Sequence, residues 1–232
     1  MIDKNKFSIL VQKHQPGFAS VVPFNPLTDK LLTLDFSKNN KDLTDEIVND
    51  TNLFSDYISS KIRKAGCRYG IGGYAEHRTV YSRSRHFDSL NGEEPRRLHL
   101  GVDIWGEANT AVIAPLDGIV HSFAFNNNFG DYGATIVLSH SIDGITFHSL
   151  YGHLSLNSLN NLQEGQLIKC GEVFAEFGVQ FENGQWPPHL HLQLIIDMGG
   201  RKGDYPGVCK FSEMDQYILN SPDPALLLPF FQ

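Results

Sequence analysis

Leu98-His99-Leu100-Gly101-Val102-Asp103-Ile104 is the stretch whose reading decides the fold. Read as a β-strand, it alternates its side chains between two faces. Leu98, Leu100, Val102 and Ile104 fall on one apolar face. His99, Gly101 and Asp103 fall on the other, so an imidazole and a carboxylate stand with only glycine between them. His189-Leu190-His191-Leu192-Gln193-Leu194-Ile195-Ile196 repeats the design, with four apolar residues on one face and His189 and His191 on the other. Laid side by side, two such strands converge three or four nitrogen and oxygen ligands on one spot, a donor set that suits tetrahedral Zn²⁺.

The rest of the chain punctuates like a β-protein. Residues 111–115, 118–125, 134–140, 145–151, 166–169 and 172–177 read as strands, and Asp143-Gly144 is a tight-hairpin signal. The 21 glycines and 16 phenylalanines agree with that class. Residues 1–40 read as irregular apart from a strand candidate at 30–36. A helix is expected over 52–65, with Leu53, Phe54, Tyr57, Ile58 and Ile62 on one stripe, a cap among Asp50, Thr51 and Asn52, and a stop at Gly66. Gly70 to Ala75 matches G-x-G-x-x-A, but a helix precedes it and polar residues follow, so a glycine-rich turn is expected rather than a dinucleotide site. Residues 76–97 read as loops or edge strands around a site. The tail from Met198 is rich in glycine and proline, and its leucines are expected to wrap the core. The division that follows is 1–66, an extension with one helix packed on the core, and 67–232, a β-domain with a C-terminal tail.

Composition narrows the function classes. A net charge of −7 lacks the basic balance of a nucleic-acid binder. The five arginines between Arg78 and Arg97 are interrupted by acids and aromatics and read as a solvated or ion-paired segment. The three cysteines, Cys67, Cys170 and Cys209, are odd in number and scattered, which favours free thiols in a reducing compartment. No apolar run has the length of a signal core or a membrane span, so the expected location is the cytoplasm, with no membrane partner. Oligomeric state is not readable from the sequence.

A third motif, Tyr151-Gly152-His153-Leu154, lies between the other two. HLGVD, YGHLS and HLH, in that order, resemble the lysostaphin-type zinc peptidases, the β-lytic metalloendopeptidases that cut bacterial cell-wall cross-links. APLDGIV, GDYGATIVLSH and EGQLIKCGEVFAEFG fit around them, so the resemblance spans roughly residues 96–196. It implies a mainly β fold, an antiparallel sheet or sandwich of the duplicated-hybrid-motif type with an N-terminal helical extension. It implies zinc on His99, Asp103 and His191, with His153 and His189 as unligated catalytic histidines. One of these would move the proton and the other would stabilise the oxyanion. Composition alone does not rank His189 against His191. Tyr151, two residues before His153, is expected to share its face and touch substrate. Where the family carries small residues before His-Leu-His, this chain has Gln185-Trp186-Pro187-Pro188, so Trp186 is expected to shape one wall of the groove.

The function so implied is hydrolysis of a peptide or amide bond in a peptide or peptidoglycan-like substrate, by a cytoplasmic variant of the family. HEXXH and G-x-S-x-G are absent. A non-catalytic zinc-binding or regulatory module is the alternative. A histidine phosphocarrier is disfavoured by Asp103, because phosphotransfer needs no carboxylate ligand.

Overall fold

The computed structural model describes residues 3–88 and 92–229. Of the expected loop at 76–97, residues 89–91 lie outside the described residues, as do Phe230 to Gln232 of the tail. The strands are β1 Leu31–Leu34, β2 Tyr69–Gly72, β3 Leu98–His99, β4 Val102–Trp105, β5 Ala111–Ile113, β6 Gly118–Asn126, β7 Gly133–Ile142, β8 Ile145–Leu154, β9 Leu167–Ile168, β10 Val173–Glu176, β11 His189–Ile195 and β12 Val208–Cys209. Eight of them form one sheet in the order β1-β2-β4-β11-β8-β7-β6-β9. All its pairings are antiparallel except β1 with β2 at the edge. β5 pairs with β10 and β3 with β12 in two small ribbons. The chain is mainly β, as expected.

β11 lies in the sheet interior and is buried along its whole length. Leu190, Leu192 and Leu194 share one apolar cluster with Ile104, Tyr151, Val120 and Ile136. The Asp143-Gly144 hairpin has both residues at positive φ, 47° and 80°, as a two-residue turn matching strand twist requires.

The N-terminal 66 residues carry more structure than one helix. α1 Lys4–His14 is capped by Asp3, whose Oδ1 accepts from the backbone of Asn5 and Lys6. It buries Phe7 and Val11, four residues apart, and Phe7 meets Phe147 edge-on at 5.2 Å. Two core residues give too faint a stripe for the sequence to reveal. α2 Asp45–Asn49 is a short turn before α3 Thr51–Lys64, which is the expected helix. Asp50 is its cap, Phe54, Ile58 and Ile62 are its buried face, and Gly66 follows at φ 62°. Phe7, Val11, Val21 and Val22 belong to the same apolar cluster as the sheet. Phe54, Ile58 and Ile62 belong to a second one with Leu34, Phe36, Trp105 and Trp186.

The glycine-rich stretch is not a turn at its start. Tyr69–Gly72 is β2, wholly buried between β1 and β4. A Cβ on Gly70 would stand 2.5 Å from Leu34 Cδ1, so glycine here lets the edge strand and α3 close onto β2. Beyond residue 198 the tail adds β12 and α4 Met214–Asn220, and Leu226, Leu227 and Leu228 do enter the core.

Candidate metal centre

The opening stretch is not one continuous strand. β3 ends at His99, the chain bends through Leu100 and Gly101, and β4 resumes at Val102. The bend carries His99 back over Asp103, four residues on. A Cβ on Gly101 would lie 2.4 Å from His191 Cε1, so only glycine admits the second imidazole here. β11 pairs with β4 so that His191 faces Asp103 and His189 faces Trp105, and on its other side His191 faces Gly152 of β8. Three neighbouring strands and the end of β3 therefore bring His99, Asp103, His153, His189 and His191 together. All five are buried.

Three donor atoms converge. His99 Nε2 lies 2.9 Å from His191 Nδ1 and 3.2 Å from Asp103 Oδ1, and His191 Nδ1 lies 3.0 Å from the same oxygen. The remaining ring nitrogens assign the tautomers. His99 Nδ1 is 3.0 Å from the Gly73 carbonyl and takes its proton there. His191 Nε2 is 3.1 Å from Gln193 Oε1. That oxygen is fixed in place because the Gln193 amide donates to Pro206 O and Ser221 Oγ, each at 3.1 Å. Two imidazole lone pairs and a carboxylate oxygen thus face one another with no proton between them. Such an arrangement repels unless a cation sits within it. With bonds of about 2.0–2.1 Å, a tetrahedral zinc has ligand–ligand edges near 3.4 Å, close to those observed. The residues fit a divalent metal, and among the described residues they are the group of three that could hold one.

His153 and His189 flank this triangle. Each gives Nδ1–H to a carbonyl at 2.8 Å, of Asn183 and Pro187 respectively, so each Nε2 is bare. Their ring centroids are 4.2 Å apart, and His189 Nε2 lies 4.0 Å from Asp103 Oδ1. Burial pushes His189 down to about 4 and His153 well below the usual imidazole range, the latter helped by its histidine neighbours. Burial, with Arg78, likewise lowers His99 to about 4. Burial opposes ionisation of Asp103, but His99 and Arg78 outweigh it and hold the carboxyl well below the carboxylate range.

Tyr151 is not at the site. Its ring is fully buried in the core, edge-on to Phe174, with its hydroxyl 3.0 Å from Ser149 Oγ. The expectation assumed unbroken alternation along β8. Instead Ala134 pairs with Leu154 and Ile136 with Tyr151, so β8 spends three steps where β7 spends two. His153 takes up the extra residue at φ 62°. This bulge turns His153 to the site and leaves Tyr151 on the core face. Trp186 does line the cavity over the histidines, its indole N–H donating to Gly130 O at 3.1 Å.

Several residues at the site escaped the sequence reading. Tyr132 lines the cavity, and its hydroxyl donates towards Gln193 Oε1 at 3.3 Å and Tyr205 O at 3.1 Å. Gln193, two residues after His191 on the same strand face, was findable from the period of two. Arg78 belongs to the arginine run read as solvated or ion-paired. It is ion-paired, to Asp103 and Glu76, but buried.

Residues 97–203 match the model of Peptidase family M23. The matched stretch is a little under half of the chain. The chain is 35% identical over 102 residues to an uncharacterized metalloprotease of Haemophilus influenzae, covering 44% of this chain and 19% of that protein. An L-Ala–D-Glu endopeptidase of Bacillus subtilis is 28% identical over 153 residues, which cover 61% of this chain and 45% of the other. The chain thus spans less than half the length of either relative. The catalytic domain of lysostaphin from Staphylococcus simulans aligns at 23% identity over 56% of this chain and 83% of its own, with a TM-score of 0.37.

Proposed function

We propose that the chain is a zinc-dependent metallopeptidase that hydrolyses a peptide or amide bond, with His99, Asp103 and His191 holding the metal and His153 and His189 moving the proton. The observation that carries this reading is the triangle of three converging donor atoms beside two further imidazole rings anchored through Nδ1. The M23 match supports hydrolysis over a purely structural metal, as does a set of three protein ligands, which leaves a fourth position open.

Bound zinc would supply Lewis acidity, polarising the scissile carbonyl and bringing the pKa of a water to about 7. The two flanking histidines enter the reaction neutral, each with Nε2 as its free basic atom. One Nε2 takes the proton of the attacking water and returns it to the leaving amine. Because the rings lie 4.2 Å apart, a charge on one disfavours a charge on the other, so the pair takes up one added proton at a time. Trp186 and Tyr132 form apolar walls that orient the substrate and exclude water.

The name of the Bacillus subtilis relative supports a peptidoglycan-type peptide as the substrate class. We take residues 67–232 as the catalytic unit and 1–66 as an extension packed on it. A cytoplasmic setting is supported by three unpaired cysteines. Among the described residues, no helix is long and apolar enough to cross a membrane. The test is the release of new amino groups from peptidoglycan fragments and from synthetic stem peptides by the full chain, abolished by a chelator and restored by zinc. Release that persists unchanged in the chelator, or in His153→Ala, would overturn the reading.

A further inference from the structure

Arg78 is among the most buried side chains of the protein, at 2% exposure, and it is charged. A buried guanidinium is expensive unless its charge is met. Here it is met twice. Nε donates to Glu76 Oε2 at 2.6 Å, and Nη1 donates to Asp103 Oδ2. The second contact falls on the carboxylate oxygen that does not face His99 and His191. Asp103 is thereby divided, with Oδ1 in the donor triangle and Oδ2 held by the arginine.

The guanidinium is itself held from several sides. Glu76 Oε1 accepts the backbone N–H of Phe36 at 3.1 Å, which ties the anchor to the end of β1. The Phe36 ring lies 5.2 Å from Arg78 Cζ, and the Tyr81 hydroxyl lies 3.5 Å from Nη1. The Arg78 backbone N–H is bound to Arg97 O at 2.8 Å. Glu76 also meets part of the arginine charge, and the contact with Asp103 fixes geometry as well as charge.

We propose that Arg78, anchored by Glu76, is a positioning residue that restricts Asp103 to a single donor oxygen. The inference rests on Asp103 being a metal ligand, as read above. A carboxylate free of such a partner can offer both oxygens to a cation. In this site a second oxygen would take up the coordination position that catalysis needs open. With Oδ2 committed to the guanidinium, the site is confined to three protein donors. Partners of this kind, one step out from the ligands, orient them and tune the metal.

The probe is cobalt(II), whose visible absorption is intense in four-coordinate sites, severalfold weaker in five-coordinate ones and weakest in six-coordinate ones. The full chain, stripped of metal and loaded with one equivalent, is expected to give the intense spectrum. Arg78→Met, similar in length but without charge or donors, is expected to lose visible absorption severalfold at full occupancy. Chelator competition should find it about 10–100-fold weaker in cobalt affinity. An Arg78→Met spectrum equal to that of the parent chain would overturn the proposal. Uptake of no cobalt by the parent chain would instead sink the metal-site reading itself. Should circular dichroism show Arg78→Met unfolded, the spectrum is read on Glu76→Gln, which removes the charged anchor and leaves the guanidinium. A smaller loss in the same direction supports the proposal, and an unchanged spectrum overturns it.

Discussion

Trp105 and His189 lie face to face, with centroids 3.8 Å apart and ring planes 15° from parallel. They are register partners across β4 and β11, so the stack is fixed by the sheet. Behind Trp105 stand Phe36 at 5.2 Å and Phe54 at 6.2 Å, one from the end of β1 and one from α3. The orientation of one proposed proton carrier therefore depends on side chains from the N-terminal extension.

Trp105→Ala should cost about 3–5 kcal/mol of stability, the usual loss for a large buried aromatic. It should also lower turnover without emptying the metal site, because Trp105 touches no ligand atom. Trp105→Phe should keep most of both, since the indole N–H has no hydrogen-bond partner to lose. Urea unfolding and zinc content measured on both variants check this. A Phe variant as unstable as the Ala variant would mean that ring stacking is not what Trp105 supplies.

Much of the site was legible in the sequence because strand alternation is a geometric rule. It put His189 and His191 on one face and their leucines on the other, and the sheet does so. It failed where the backbone leaves the rule. The bulge at His153 reversed the expectation for Tyr151, and the bend at Gly101 broke one expected strand into two. β2 was missed because its glycines serve close packing, which a local reading takes for a turn. Arg78 was invisible for a different reason. Its role depends on Asp103, 25 positions away, and no local pattern marks it.

Gln193 fixes the tautomer of His191, and its removal should be felt at the metal. Gln193→Leu strips the acceptor from His191 Nε2 and should weaken zinc binding about 10–100-fold. Gln193→Glu keeps the acceptor and should retain zinc. Chelator competition measures both, and parental affinity in the Leu variant would count against the role.

His140 predicts an acid-sensitive fold. It is buried on β7, away from the cavity, with Nδ1 2.9 Å from Asp117 O and Nε2 2.6 Å from Ser149 Oγ. Burial lowers it from 6.5 to about 4. Its folded pKa is therefore depressed, and between those values the unfolded chain binds more protons. Stability is full above about pH 6.5 and is lost as pH falls towards 4, by about 3 kcal/mol over the window. Melting temperatures of the zinc-loaded chain between pH 7 and pH 5 should fall steadily, and His140→Gln should flatten the slope. An equal slope in the variant would place the acid sensitivity elsewhere.

The three thiols should separate by access. Cys170 is exposed, Cys67 is half-buried, and Cys209 is buried. Burial, helped by Glu213, pushes the Cys209 thiol up to about 12. In the native protein a thiol reagent should label Cys170 first and Cys209 last. The unfolded, unreduced chain should titrate as three. A count of one would reveal a disulfide and overturn the reducing-compartment reading.

The last prediction separates two histidines two residues apart on one strand. His191 Nδ1 lies 3.0 Å from Asp103 Oδ1 and 2.9 Å from His99 Nε2, whereas His189 Nε2 stands 4.0 Å from that oxygen and stacks on Trp105. His191 is therefore the one able to share a metal with His99 and Asp103. Its loss leaves two ligands, too few to hold zinc firmly against a chelator. His189 and His153 hydrogen-bond through Nδ1 and supply no atom of the triangle, so their loss leaves it intact. So His191→Ala should be purified metal-poor. His189→Ala and His153→Ala should carry near-stoichiometric zinc and turn over about 10²–10⁴-fold more slowly, the usual worth of general acid–base work. Zinc per chain, measured on each purified variant, decides the matter. A metal-poor His189→Ala beside a zinc-replete His191→Ala would invert the roles assigned to the two strand neighbours.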